Sequence, residues 1–295
     1  MPHHWQPGSA PVAVIMISLN EAHNMEAVLE NLKGWAQEVF LVDSYSKDET
    51  VDIALRHGVH VVQRRFRGFG DQWNFAVKKL PITTPWTMKL DPDERLTDEL
   101  KLSIINKIVE GSATGISFDR RLWFMGTPLP IKQEILRVWK TGSCKFSEVI
   151  INEHPFVDGA VKRVEGILEH HDSPNLYHWV EKQNWYTTGE AIARYRNDPL
   201  AAQPLLFGSP FERRMWLKKN YTRFPLRHWV TFLVRLSQAR PWVTGYSGFA
   251  WARLRVWVGR MIEDKIHEMR TTGHELSMPV SSLGQPHPQA HQDES

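Results

Sequence analysis

Short apolar runs alternate along the first hundred residues with stretches whose apolar positions fall three and four apart. Val12 to Leu19 is one such run, and it predicts a buried strand ending in Ser18-Leu19-Asn20-Glu21. Met25, Val28, Leu29, Leu32 and Trp35 then recur at helical spacing. Val39 to Val42 is a second buried strand, closed by Asp43. Ser46 and Glu49 stand as a capping-box pair ahead of a helix carrying Val51, Ala54 and Leu55. Val59 to Val62 predicts a third strand and Phe69 to Leu80 a helix. Trp86 to Leu90 predicts a fourth strand that runs into Asp91-Pro92-Asp93-Glu94. Thr97 is placed to cap a helix with Leu100, Ile104 and Ile108 inward.

Apolar strands alternating with helices predict an α/β fold, a parallel sheet covered on both faces. From Thr114 to Leu168 the pieces are shorter and predict added mixed or antiparallel strands, while Asn175 to Tyr195 reads as a long helix. Two amphipathic segments follow, around Trp229 to Leu236 and Phe249 to Ile266. These features predict a flexible arm over 1–11 and a catalytic domain over 12–198, with a ligand-binding half over 12–100 and a second half over 101–198. A basic helical region over 199–270 and a disordered tail over 271–295 complete the expected organisation.

Composition narrows the class. In 295 residues, 42% hydrophobic and 23% charged content excludes global disorder. The single cysteine, Cys144, excludes a disulfide scaffold and a cysteine zinc cluster. No run of 18 apolar residues and no leader-like start are visible, so a cytoplasmic location is expected. Charge is unevenly spread: Leu205 to Arg270 holds 13 basic and 4 acidic residues, against a whole-chain balance of +3. Five tryptophans share that stretch, the composition of helices that lie on an anionic membrane surface. A helical subdomain with a solvated charged face has the same composition. No nucleic-acid-binding motif accompanies it, and no nucleic-acid partner is expected.

In an open parallel sheet, ligands bind at the carboxyl ends of the strands. Three of those ends are polar here: Ser18/Asn20/Glu21, Asp43/Ser44/Ser46 and Asp91/Asp93. The glycine fingerprints of dinucleotide enzymes and P-loop hydrolases are missing. Asp91 and Asp93 can share Mg²⁺ or Mn²⁺ with a substrate phosphate, or can simply form a turn into the next helix. Asp43 can accept a hydrogen bond from a base or ribose, or cap the turn at Ser46. Arg67, beside Gly68, offers a cation where a diphosphate would lie.

Four segments in this order, Ile17 to Asn24, Val42 to Thr50, Arg67 to Ala76 and Leu90 to Leu96, resemble the family 2 glycosyltransferases. The likeness is greatest to the short branch that holds the lipopolysaccharide-core β-glucosyltransferases. It covers residues 12–100 strongly and continues weakly through Asn152-Glu153-His154 and Leu168 to His171, as far as Tyr186. The resemblance implies a GT-A fold, a nucleotide-diphosphate sugar donor (usually UDP), a divalent metal and inversion at the anomeric carbon. It places Ser18, Asn20, Glu21 and Asp43 around the nucleoside and Asn74 in the third donor motif. Asp91 and Asp93 fall on the ribose and metal-diphosphate positions. His170, with His171 beside it, could supply a late metal ligand, as a histidine does in some GT-A enzymes, or the pair could be plain surface residues in a polar turn. Trp73 departs from the arginine that many relatives carry before Asn74, so either Arg67 or Lys78 supplies the cation or the donor differs. Inversion requires a base for the acceptor hydroxyl. Glu153, where relatives carry a His-Glu pair, is the first candidate, and Asp158 the second.

The function expected is transfer of a sugar from a UDP-sugar, with Mn²⁺ or Mg²⁺, to a cell-surface glycan or glycolipid such as lipopolysaccharide core. The protein would work on the inner face of the cytoplasmic membrane, in peripheral contact with anionic lipid. Transfer to a polyprenyl phosphate carrier is one alternative. A non-catalytic nucleotide-sugar-binding protein is another.

Overall fold

The computed structural model describes residues 4–147, 153–198, 200 and 203–278. Two units divide between His178 and Trp179. The first is built from β1 (Ala10–Ser18), α1 (Ala22–Leu32), β2 (Ala36–Asp43), α2 (Thr50–Arg56), β3 (His60–Gln63), α3 (Phe69–Lys79), β4 (Trp86–Lys89) and β5 (Glu94–Leu96). It continues through α4 (Asp98–Glu110), β6 (Gly115–Phe124), β7 (Thr127–Lys140), β8 (Cys144–Phe146), β9 (Pro155–Val157) and β10 (Val161–His170) to the start of α5 (Leu176–Arg196). Eight strands form one sheet in the order β3-β2-β1-β4-β7-β6-β10-β5, while β8 and β9 pair separately. β1 to β4 are mutually parallel, β7 runs against both β4 and β6, and β10 lies parallel to β6. The carboxyl ends of β1, β2, β4 and β10 therefore open on one side.

Alternation within the apolar runs assigns their side chains to two cores. Val12, Val14, Met16 and Met88 face α1 and α4, where Met25, Leu29, Leu100 and Ile104 are buried. Ala13, Ile15, Phe40 and Val42 face α3, packed on Trp73, Ala76, Trp139 and Phe146. Thr97 caps α4, its hydroxyl accepting from the Leu100 N–H at 3.3 Å. Gly166 lies at the register shift of β10 with φ +98°, where an added Cβ would come within 2.5 Å of the Leu100 backbone, so α4 rests directly on the strand.

Two expectations change. The residues before β1 are not a loose arm over their described part. Trp5 is buried, its indole N–H donates to Ala36 O at 2.9 Å, and its backbone N–H donates to Gly58 O at 2.9 Å. The domain boundary falls inside α5 rather than at residue 198. The tail beyond Met278 lies outside the described residues.

The second unit contains the rest of α5 with α6 (Pro210–Asn220), α7 (Arg227–Ala239) and α8 (Pro241–Thr272). Lys265 of α8 donates to Asn184 and Thr188 of α5 at 2.7 Å each. Arg227 of α7 makes a two-pronged pair with Glu263 of α8 at 2.9 and 2.7 Å. Gly245 interrupts α8 with φ 61° and ψ −145°, a conformation that suits a residue without Cβ.

Candidate active site

Ser18 and Asp43 face each other across the parallel pair β1–β2, where both strands end. The Asp43 carboxylate is fully buried and accepts from Ser18 Oγ (2.9 Å), Ser46 Oγ (2.5 Å), Ser46 N–H (2.9 Å) and Gln63 Nε2 (3.1 Å). Asn20, at φ 54°, donates its backbone N–H to Ser46 Oγ at 2.8 Å and accepts from the Lys47 N–H at 2.8 Å. Glu21 donates its N–H to Thr50 Oγ1 at 2.8 Å, and its carboxylate accepts from Asn24. The four residues expected at the nucleoside are thus gathered at one end of the sheet and wired to one another. The Ser46–Glu49 capping box does not form, because the Ser46 hydroxyl is spent on Asp43 and α2 starts without a side-chain cap.

The third motif divides by depth. Arg67 is exposed in the loop ahead of α3, at the site end of the sheet. Lys78 lies exposed at the far end of α3, away from the strand ends, and does not serve the site. Asn74 also needs correction. It is buried, accepts from the Phe146 N–H at 2.9 Å and donates to Phe146 O at 3.0 Å, so it ties β8 to α3 instead of facing a ligand. Trp73 is fully buried against Phe146, with ring centroids 5.8 Å apart. A cation does stand there: the Lys89 ammonium, at the end of β4, sits 4.3 Å from the Trp73 ring.

Lys89 was not anticipated from sequence. Its Nζ lies 2.5 Å from Glu153 Oε1, with the Lys89 side chain buried and that of Glu153 nearly so. Asp91 accepts from Arg137 Nη2 at 2.7 Å, and the same nitrogen donates to the buried Glu94 at 2.6 Å. Burial alone would raise the Asp91 pKa. Arg137 and Lys89 outweigh it and bring the group down to about 2. Burial likewise opposes the Arg137 charge, and Asp91 with Glu94 holds its pKa above the ordinary range. Arg95 fixes this loop from below, donating to Pro92 O at 2.6 Å and Asn24 O at 3.0 Å.

Asp93, His170 and Asp172 place one ligand atom each within 4.8 Å of the others. His170 Nε2 is 3.2 Å from Asp93 Oδ2 and 3.8 Å from Asp172 Oδ1. Burial works against the imidazolium, yet Asp93 and Asp172 raise the His170 pKa. Two carboxylates and an imidazole converging at a strand end fit a divalent cation such as Mn²⁺ or Mg²⁺. Asp91 is not in this group because Arg137 holds its carboxylate. Asp172, unmarked in the sequence reading, completes it. Burial lowers the pKa of the adjacent His171, whose ring lies against Trp123 with centroids 4.8 Å apart.

Glu153 is brought to the site, whereas Asp158 is not. Asp158 is exposed in the turn before β10, whose first residue pairs with Gly115 and whose last, His170, pairs with Leu122. At about 3.3 Å per residue, the seven steps from Gly115 to Leu122 on the partner strand put the turn that holds Asp158 roughly 25 Å from the metal-type cluster. Asn152, the other half of the Asn-Glu pair, lies outside the described residues.

Residues 13–156 match the family model described as Glycosyl transferase family 2. That stretch, just under half of the chain, is similar to that family. The mixed sheet of the first unit, with β7 reversed beside β4 and helices packed on it, is the α/β arrangement expected from the sequence pattern. An uncharacterized glycosyltransferase of Rickettsia prowazekii is 24% identical over 204 residues, covering 61% of this chain and 66% of the relative. Another from Rickettsia bellii is 36% identical over 90 residues, 30% of each chain. The chain thus spans just under two thirds of the first relative and less than a third of the second. Among solved structures, S. aureus TarS 1–349 in complex with UDP is 14% identical over 94% of this chain and 96% of its own, with a TM-score of 0.41. Glucosyl-3-phosphoglycerate synthase from Mycobacterium tuberculosis, in complex with Mn²⁺, UDP and glucosyl-3-phosphoglycerate, is 19% identical over 42% of this chain and 52% of its own, with a TM-score of 0.31. Likeness of that size carries no argument about the ligands of this chain.

Proposed function

We propose that the protein is a metal-dependent inverting glycosyltransferase that takes a sugar from a UDP-sugar. Its acceptor is a cell-surface glycan or glycolipid, such as lipopolysaccharide core. The observation that carries the reading is the Asp93–His170–Asp172 cluster beside the wired Ser18–Asp43 rim; the rim and Asp93 lie inside the stretch that matches the family model, and His170 and Asp172 follow it in the chain. The donor class is supported by that match, and the acceptor class by the motif resemblance.

Asp93, His170 and Asp172 would hold Mn²⁺ or Mg²⁺, which supplies neutralisation of charge on a departing diphosphate. The rim formed by Ser18, Asn20, Glu21 and Asp43 is rigid before any ligand arrives, so a nucleoside bound there would be oriented at little entropic cost. Exposed Arg67 at the same end offers a further cation to the diphosphate. Arg137, paired with both Asp91 and Glu94, and Arg120, paired with Glu94, together balance these two carboxylates, which keeps the acidic loop from repelling an anionic donor. Glu153 takes the proton from the acceptor hydroxyl. Lys89 holds its Oε1 at 2.5 Å, and Oε2 is the oxygen assigned to the acceptor.

Glu153→Gln tests the assignment, since glutamine keeps an oxygen for Lys89. Transfer should fall by about 10²–10⁴-fold, the usual share of general acid–base catalysis, with donor affinity unchanged. Asp158→Asn should leave both intact. Full transfer by Glu153→Gln would remove Glu153 as the base.

A further inference from the structure

We propose that α7 and the first turns of α8 form a face that docks in the plane of an anionic lipid bilayer. The amphipathic pattern of α7 is turned inside out. Leu226, ahead of the helix, and Trp229, Val230, Leu233 and Val234 along it recur at steps of three, one, three and one. All are between 47% and 71% exposed. The polar side of the same helix faces the unit's interior. Arg227 and His228 bond to Glu263 of α8, Thr231 to Tyr221, and Arg235 lies 5.8 Å over the Trp251 ring. A helix in water normally turns its apolar stripe inward and its charges outward. Here the folded unit stabilises the reverse.

The outward stripe continues into α8, where Trp242, Val243 and Tyr246 are 65–73% exposed. Ring contacts connect the two helices: Trp229 to Phe232 at 6.4 Å, Phe232 to Phe249 at 6.1 Å, and Phe249 to Tyr246 at 6.4 Å. The result is one continuous apolar and aromatic surface, the kind that marks an interaction site.

Charge selects the occupant. From Arg213 to Ile262 the chain carries 11 Lys and Arg and no Asp or Glu. Exposed Arg223 precedes α7 and exposed Arg240 follows it, while Arg253 and Arg260 stand exposed further along α8. A second copy meeting this face about a two-fold axis would bring like charges together, which disfavours self-association. An anionic lipid surface satisfies both features: headgroups meet the arginines while Trp and Tyr enter the interface. Among the described residues no helix is long and apolar enough to cross a membrane, so the contact is in plane.

The test uses the full chain and vesicles of phosphatidylcholine alone or mixed with phosphatidylglycerol. Co-sedimentation should require phosphatidylglycerol and weaken with sodium chloride, as the screening length falls from about 10 Å at 0.1 M to about 3 Å at 1 M. Brominated lipid should quench tryptophan emission, and less so in Trp229→Phe and Trp242→Phe. Val230→Glu and Leu233→Glu should each cut binding by about tenfold or more, since a carboxylate in the interface must give up its hydration. Both positions point outward, so melting temperature and helicity should hold. Trp242→Ser gives a second, uncharged probe expected to weaken binding in the same assay. Equal binding to neutral vesicles, or wild-type binding by all three variants, would overturn the proposal. So would a lipid-free dimer that Val230→Glu converts to monomer, which would assign the face to a second copy.

Discussion

Lys89→Met removes the cation that the structure buries between Glu153 and the Trp73 ring. Methionine preserves most of the apolar stem packing, so the change is chiefly electrostatic. The Glu153 carboxylate is left at 11% exposure without the ammonium 2.5 Å away. Breaking a buried ion pair from one side costs about 3–5 kcal/mol. The lost cation–π contact at 4.3 Å adds about 0.5–2 kcal/mol, while Arg137, which also feels Glu153, offsets part of the total. A net loss of about 3–5 kcal/mol is expected, equivalent to a fall in Tm of about 6–20 °C at 2–4 °C per kcal/mol. Urea unfolding followed by tryptophan fluorescence, with calorimetry alongside, measures it. Adding Glu153→Gln to Lys89→Met should recover about 2 kcal/mol or more, because the stranded charge is gone. A single variant within about 1 kcal/mol of wild type, or a double variant no more stable than Lys89→Met, would refute the buried-pair account.

Trp73→Arg introduces the arginine that the motif resemblance places before Asn74 and should destabilise the protein by about 3–5 kcal/mol, because it buries a second, unpaired cation beside Lys89; wild-type stability in urea would contradict this account. Asp91 contributes acid stability of predictable sign. Its folded pKa of about 2 lies below its ordinary 3.8, so the contribution is complete above that value and is lost as pH falls toward 2. Asp91→Asn should therefore flatten the acid limb of a stability–pH curve between about pH 4 and pH 2, and an unchanged limb would show that Arg137 does not stabilise the carboxylate.

The centre of the sheet was legible because β1, β2 and β4 are largely buried and leave apolar runs such as Val12 to Ile17. The β6–β7 pair was harder to delimit. Asp119, Arg120 and Arg121 on one strand, and Lys132, Gln133 and Glu134 on the other, break the apolar pattern along its partly exposed stretch. Among site residues, the wired rim and the Asp93–His170 approach follow from motif order. Lys89 left only a faint signal, one charge in an apolar strand, and its partner lies 64 residues away. Asp172 was hidden behind the His170-His171 pair. The roles of Asn74 and Asp158 depended on where β8 and β10 lie, and no local spacing encodes that. For α7 the spacing revealed an apolar stripe, but only the packing of Arg227 and His228 on Glu263 revealed which way it faces.

The most direct test is binding of UDP by the full chain with and without Mn²⁺, read by thermal shift. At one hundred times Kd, a ligand specific for the folded state contributes about 2.7 kcal/mol, or about 5–11 °C for a protein of this size. The account predicts that shift for wild type with Mn²⁺ present. It also predicts its loss with EDTA, with Asp93→Ala and with His170→Ala. An equal shift in EDTA, or an unaltered one in Asp93→Ala, would contradict a metal-assisted donor site at the Asp93–His170–Asp172 cluster.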